Sequence, residues 1–229
     1  MNDLGNLVSP QVQPGTILVV PVGSCEQHGP HLPLDTDTRI AVAVSNALAA
    51  QIGRPGCPIV VGPAIGIGAS GEHAGFPGTV SIGTAVLVDV LIEIVRSAGP
   101  EFTYIVFVNG HGGNVEAINR ATEALLHDGH RHVAFVSMTG FADAHAGISE
   151  TSLMLYLHPD FVGAQRPIGA TESLAELLPK MRAGGVKSIS PNGVLGDSTG
   201  ASPEQGRELF EAIVVRCLAQ VTEHITGPI

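Results

Sequence analysis

The sequence predicts an α/β domain built on a largely parallel sheet with helices on both faces. Three observations predict it. Short β-branched apolar runs alternate with longer segments of helical apolar spacing about four times along the chain. The short runs are continuously apolar, as strands covered on both faces are. Glycine is abundant at 29 residues and aromatics make up only 4%, a balance that suits many tight strand-to-helix turns.

The elements follow in order. Residues 17–22, ILVVPV, read as a buried strand ending at Gly23. A loop rich in Gly, Pro, His and acid runs to Asp37. RIAVAVSNALAAQI then has helical apolar spacing, with Thr36 or Asp37 expected at its N-cap. PIVVGPAIG is the second strand, followed by a Gly-rich loop from Gly66 to Gly78. AVLVDVLIEIVRSAG is a helix that Thr84 can cap and that stops at Gly99-Pro100. YIVFVNG is a third buried strand, and HGGN leads from it into the helix VEAINRATEALLHDG. HVAFVSM is the fourth strand, FADAHAG its loop, and ISETSLMLYLH the next helix. Residues 160–205 read as irregular, punctuated by Pro, Gly and Ser. PEQGRELFEAIVVRCLAQVTEHI is an amphipathic helix with Pro203 near its start. No repeat or linker interrupts the pattern, so residues 1–229 read as one domain.

Composition narrows the function classes. Hydrophobic residues are 44% and charged residues 14%, enough for a large core and against disorder. A formal charge of -10 argues against a nucleic-acid partner. Cys25, Cys57 and Cys217 are odd in number and form no CxxC pair, which argues against a disulfide framework or zinc ribbon and for a cytoplasmic setting. The first residues have neither a basic nor an apolar signal-peptide region. VLVDVLIEIV is too short to span a membrane and carries Asp89 and Glu93. No GxGxxG follows a strand and there is no P-loop, so nucleotide cofactors are unsupported.

In parallel sheets, ligands bind beyond the carboxyl ends of the strands. The loops at Gly23, Gly110 and Phe141 leave that edge and hold most of the chemistry-bearing residues. Glu26, His28 and Asp37 lie in GSCEQHGPHLPLDTD. Glu26 and His28 alternate, so an extended loop points them the same way, and Asp37 can fold back across the Pro30–Pro33 turn. Carboxylate plus imidazole suits Zn²⁺, Fe²⁺ or Mn²⁺. Any one of these residues alone is better explained as part of a capped loop; three in one Gly- and Pro-locked loop favour a metal. His111, in VNGHGGN, sits between a buried strand and a helix, and Asn109 and Asn114 are expected to tie its loop down. In DAHAGISETS, Glu150 falls in a first helical turn, where the dipole favours an acid; by itself a capping role is as good a reading. His145 is a candidate proton donor that Asp143 could orient. Ser70, Glu72 and His73, in GASGEHAGFPGTVS, form a polar loop expected to face substrate, though an ordinary mobile loop is about as good a reading. His31 is expected to be structural or to support a ligand, and Cys25 lacks the base and orienting partner a nucleophile needs.

As a set, GSCEQHGPHLPLDTD, GEHAGFPGT, VNGHGGN, DAHAGISETS and GVLGDSTGASPEQG resemble the creatininase family, in the family's order, from about Pro21 to the last helix. LPLDTDTRIA, GASGEH, HGGNVEA, LLPKMRAGGV and GVLGD look most like a branch of peptidases. That branch trims a modified precursor peptide and releases a C-terminal Val-Tyr-derived dipeptide core. The resemblance implies a three-layer α/β/α sandwich, two divalent metal ions (Fe²⁺ or Zn²⁺, or Mn²⁺) and a homo-oligomer, a hexamer or similar ring. Carried over by position, Glu26 and His111 serve one metal, His28 the other, and Asp37 bridges. Creatininase itself has a metal-binding acid two residues after the His of its NGH motif. That position is Gly113 here, so the resemblance passes the role to Glu150. The family's active-site His matches His145. The family's substrate-enclosing tryptophans have no counterpart, because the chain contains no Trp, which counts against creatinine as substrate. The expected reaction is hydrolysis of an amide by metal-activated water, with His145 protonating the leaving amine. Two rivals stay open: a cyclic-amide or formamide hydrolase acting on a small metabolite, and a non-catalytic metal-binding scaffold.

Overall fold

The computed structural model describes residues 3–52, 57–138 and 140–226. Four strands form one sheet: β1 (Thr16–Val22), β2 (Ile59–Val61), β3 (Phe102–Asn109) and β4 (Val133–Ser137). Their order is β2-β1-β3-β4 and every pairing is parallel. Val22 pairs with Asn109, and Asn109 with Ser137, so the carboxyl ends of three strands finish level on one edge.

Successive strand residues face opposite sides, and the two sides form two cores. Ile17 and Val19 of β1 join Val106 and Val108 of β3 on one side. There they meet Ile40 and Val44 of α1 (Thr36–Gln51), Leu153 of α4 (Ile148–Leu157) and Ile213 of α6 (Pro203–Thr226). Leu18, Val20, Ile105 and Phe107 face the other side. Their partners are Leu87 and Leu91 of α2 (Gly83–Ser97) and Ala117 and Ile118 of α3 (Val115–His127). The result is the α/β/α sandwich the apolar runs predicted. A smaller cluster, Leu177, Val186 and Leu195, joins α5 (Leu174–Gly184) to the loops around it. Among the described residues, no helix is long and apolar enough to cross a membrane.

Three local expectations change. α1 begins at Thr36 with Asp35 at its N-cap, so Asp37 lies inside the first turn rather than capping it. The Asp37 carboxylate is taken by the Ser24 hydroxyl and two imidazoles instead of the helix's own amides. Thr84 does not cap α2; the Ser81 hydroxyl accepts from Gly83 N at 3.2 Å, one step outside the helix. The stretch 160–205 is not wholly irregular, because it contains α5 with Pro179 inside it. Its start is a capping box in which Ser173 and Glu176 serve each other, and this S-x-x-E spacing was the signal available in the sequence.

Candidate metal centre and active site

Each site residue is placed by a strand end or a helix start. β1 delivers the loop holding Glu26, Gln27 and His28, and the first turn of α1 delivers Asp37. An added Cβ at Gly23 would lie 2.6 Å from the backbone nitrogen of Thr38, and one at Gly110 would lie 2.7 Å from the carbonyl of Asp37. Glycine at both strand ends therefore lets α1 seat its first turn directly on the sheet edge. β3 delivers His111 through a locked turn: Asn109 Nδ2 donates to the His111 carbonyl at 2.8 Å, and Asn114 Nδ2 donates to Gly23 O at 3.0 Å. The loop after β4 and the first turn of α4 deliver His145 and Glu150.

These groups converge. His28 Nε2 lies 3.1 Å from Asp37 Oδ1 and 3.7 Å from Glu150 Oε2. His111 Nδ1 lies 3.1 Å from Asp37 Oδ2, and its Nε2 lies 3.2 Å from Glu26 Oε2. Three sets could each hold a metal ion, with ligand atoms mutually within 4.8 Å: Glu26, Asp37 and His111; His28, Asp37 and Glu150; and Glu26, His28 and His145. Asp37 belongs to the first two sets and turns a different oxygen to each imidazole. All five residues of those two sets are buried, Glu26 and His28 completely.

The tautomers follow from what each nitrogen meets. A backbone carbonyl can only accept, so His28 Nδ1, 3.1 Å from Glu26 O, carries a proton and leaves Nε2 facing the acids. His111 is flanked on both sides: its Nε2 meets Glu26 Oε2 at 3.2 Å and Ala69 O and Glu72 Oε1 at 3.3 Å, while its Nδ1 meets Asp37 Oδ2 at 3.1 Å. Metal-binding histidines are commonly oriented by such a second contact.

Charge sharpens the picture. Burial raises Glu26 from 4.5 to about 7, against the pull of His111. Burial raises Glu150 to about 7 as well, partly offset by His28. Burial also works against the charge on Asp37, but the imidazoles beside it hold its carboxyl well below the ordinary value. The acids more than overcome the burial of His28, raising it to about 10. Three buried carboxyls in contact require positive charge among them to stay ionised. Glu26 makes the point directly. Both its oxygens are buried without a hydrogen-bond partner among the described residues. This donor set therefore fits divalent cations bound by nitrogen and oxygen.

His145 stands against this cluster. Its ring centroid is 4.2 Å from that of His28 and 4.4 Å from that of His73. Its Nε2 meets Gln27 O at 2.8 Å, and its Nδ1 faces Glu26 Oε1 at 3.7 Å. Burial, reinforced by His28, holds His145 well below its ordinary value, as a neutral ring. Asp143 is not its orienting partner. The Asp143 carboxylate accepts from the backbone amides of Ile148 and Ser149, so it caps α4.

The loop expected to face substrate instead folds inward as a short 3-10 turn, Gly71–His73. Ser70 is fully buried, and His73 is buried with Nε2 3.3 Å from Glu26 Oε1. Neither offers an open surface; Glu72 alone of the three keeps its side chain partly exposed, at 25%. Sequence reasoning missed Gln27. Its amide nitrogen donates to Gly193 O at 3.0 Å and to His73 Nδ1 at 2.8 Å, while its oxygen accepts from Gly29 N. Its backbone carbonyl holds His145. Its position between Glu26 and His28 was the available signal. His31, read as structural, bonds Thr151 Oγ1 through Nε2 at 2.8 Å. A cavity of about 580 Å³ opens beside the start of α4, lined by Asp143, Thr171, Glu172 and Asp197 among others. Its lining contains none of the five donors.

With this geometry in place, the comparisons are informative. The family described as "Creatininase: Creatinine amidohydrolase" matches residues 7–221. The "Mycofactocin precursor peptide peptidase" of Mycolicibacterium smegmatis is 51% identical over 90% of this chain and 84% of its own. The "Creatinine amidohydrolase" of Pseudomonas putida is 30% identical over 86% of this chain and 85% of its own. A solved structure described as "Creatininase Mn" superposes with a TM-score of 0.75 at 27% identity, covering 98% of each chain.

Proposed function

The chain belongs to the creatininase family, and on that premise we propose that residues 1–229 form one metal-dependent hydrolase domain acting on C–N amide bonds. Its substrate is a modified precursor peptide, the mycofactocin precursor for which the 51% identical relative is named. The observation that carries the metal reading is Asp37, whose two oxygens each lie 3.1 Å from a different imidazole. In this reading Glu26, Asp37 and His111 hold one divalent cation, and His28, Asp37 and Glu150 hold the other. Fe²⁺, Zn²⁺ and Mn²⁺ all suit the donors. What such cations supply when bound is Lewis acidity, which acidifies water and polarises an amide carbonyl.

The remaining work falls to the chain's own groups. Gln27 spends both amide protons on Gly193 O and His73 Nδ1. The backbone carbonyl of Gln27 can only accept, so the proton between it and His145 Nε2 belongs to His145. That leaves Nδ1 as the basic nitrogen, on the Glu26 side of the cluster. His145 Nδ1 takes a proton from the attacking water and returns it to the leaving amine nitrogen as the C–N bond breaks. Gln27 holds the ring for both steps.

The smaller-substrate reading rests on the 30% identical creatinine amidohydrolase, and the absence of tryptophan weighs against it. The test is to strip metal with a chelator, restore single metals, and compare turnover of the modified peptide, creatinine and formamido compounds. Peptide cleavage that returns only with metal supports the proposal; full activity in the stripped protein refutes it. A cytoplasmic setting, supported by three free cysteines, and a homo-oligomeric ring, supported by family analogy, complete it. Light scattering after size exclusion tests the ring.

A further inference from the structure

Glu72, expected to face substrate, has its carboxylate beside the candidate metal cluster. Its Oε1 lies 3.3 Å from His111 Nε2, the same nitrogen that lies 3.2 Å from Glu26 Oε2. Glu26 is fully buried and, among the described residues, its oxygens lack hydrogen-bond partners, so an unpartnered carboxylate shares this nitrogen with Glu72. Gly113 adds a second line of argument. An added Cβ there would lie 2.3 Å from Glu72 Oε1, 2.4 Å from Ala69 O and 2.4 Å from His111 Nε2. Gly113 is not among the glycines with positive φ, so what it provides is space rather than a special backbone conformation. That space is where the Glu72 carboxylate rests. The loop is pinned in place from outside: Ser70 N donates to Ser81 Oγ at 2.9 Å, and Lys187 Nζ donates to Gly75 O at 2.8 Å.

We propose that Glu72 is a further carboxylate of the metal centre. It reaches across Gly113 to complete the ligand set of the cation held by Glu26, Asp37 and His111. The inference rests on the dinuclear reading above. It gives that cation a third acid, from the loop between β2 and α2. The test is titration of metal-stripped protein with Mn²⁺, followed by calorimetry and electron paramagnetic resonance, for wild type, Glu72→Gln, Glu72→Asp and Glu150→Gln. Wild type is expected to take two ions. Glu72→Gln should weaken one of them by roughly 10- to 100-fold and leave the other unchanged. Glu72→Asp should recover part of the loss, and Glu150→Gln should weaken the other ion. If Glu72→Gln binds both ions as wild type does, the inference is overturned; a raised KM in that same variant would then assign Glu72 to substrate. If wild type itself fails to bind two ions, the dinuclear reading falls instead.

Discussion

Asp37→Asn offers the sharpest prediction, because it removes one charge shared by two donor sets while keeping shape. Each Asp37 oxygen lies 3.1 Å from an imidazole nitrogen. At an effective dielectric near 20, a unit charge at that distance is worth about 5 kcal/mol. Neutralising one member of such a buried arrangement typically costs about 3–5 kcal/mol once relaxation is included. At about 1.4 kcal/mol per decade, that corresponds to a loss in cation affinity on the order of 100- to 1,000-fold or more. Because Asp37 belongs to both sets, both ions should weaken together. Glu150→Gln, a member of only one of those two sets, should affect one. The Ser24 hydroxyl, 2.7 Å from Oδ2, can still donate to an amide oxygen, so the fold should survive. Metal content after dialysis and calorimetric titration of stripped protein measure the effect. An Asp37→Asn variant that keeps two ions at wild-type affinity, or loses only one, refutes the bridging assignment.

Cation binding should depend on pH with a definite sign. Glu26 and Glu150 are raised from 4.5 to about 7, so each holds its proton in the folded chain between pH 4.5 and about 7. An incoming cation must displace those protons. Affinity should therefore rise with pH through about 7, and calorimetry in buffers of different ionisation enthalpy should count more protons released at pH 6 than at pH 8. Equal release at both would show that these carboxyls are already ionised. His145→Ala should keep both ions yet lose roughly 100- to 10,000-fold in turnover; metal analysis beside peptide cleavage checks it, and full activity would remove His145 from proton transfer. Gln27→Leu should leave metal content intact while lowering kcat more than it raises KM, because the His73 ring, packed 4.4 Å from that of His145, loses its amide partner. Unchanged kcat would show that the backbone carbonyl of residue 27 positions His145 by itself.

The parallel α/β architecture is legible in the residues alone, because continuous apolar runs and helical spacing are local consequences of which faces are covered. It also determined which donors gather, since parallel strands bring their carboxyl-end loops to one edge: Glu26 and His28 after β1, His111 after β3, Glu150 after β4. α5 was legible in part, through Ser173 and Glu176, but Pro179 masked the helical pattern. The division of labour between the two acids near His145 emerges in the folded chain. Asp143 turns to the amides of α4, while Glu150 turns to His28. Only the tertiary structure brought His73 behind Glu26, made Gln27 the support of two rings, and laid Glu72 over Gly113. The reason is physical. Backbone preference and periodicity act within a few residues, whereas the contact between Glu72 and the space at Gly113 joins loops from two different strand ends, and its geometry exists only once the sheet has set them side by side.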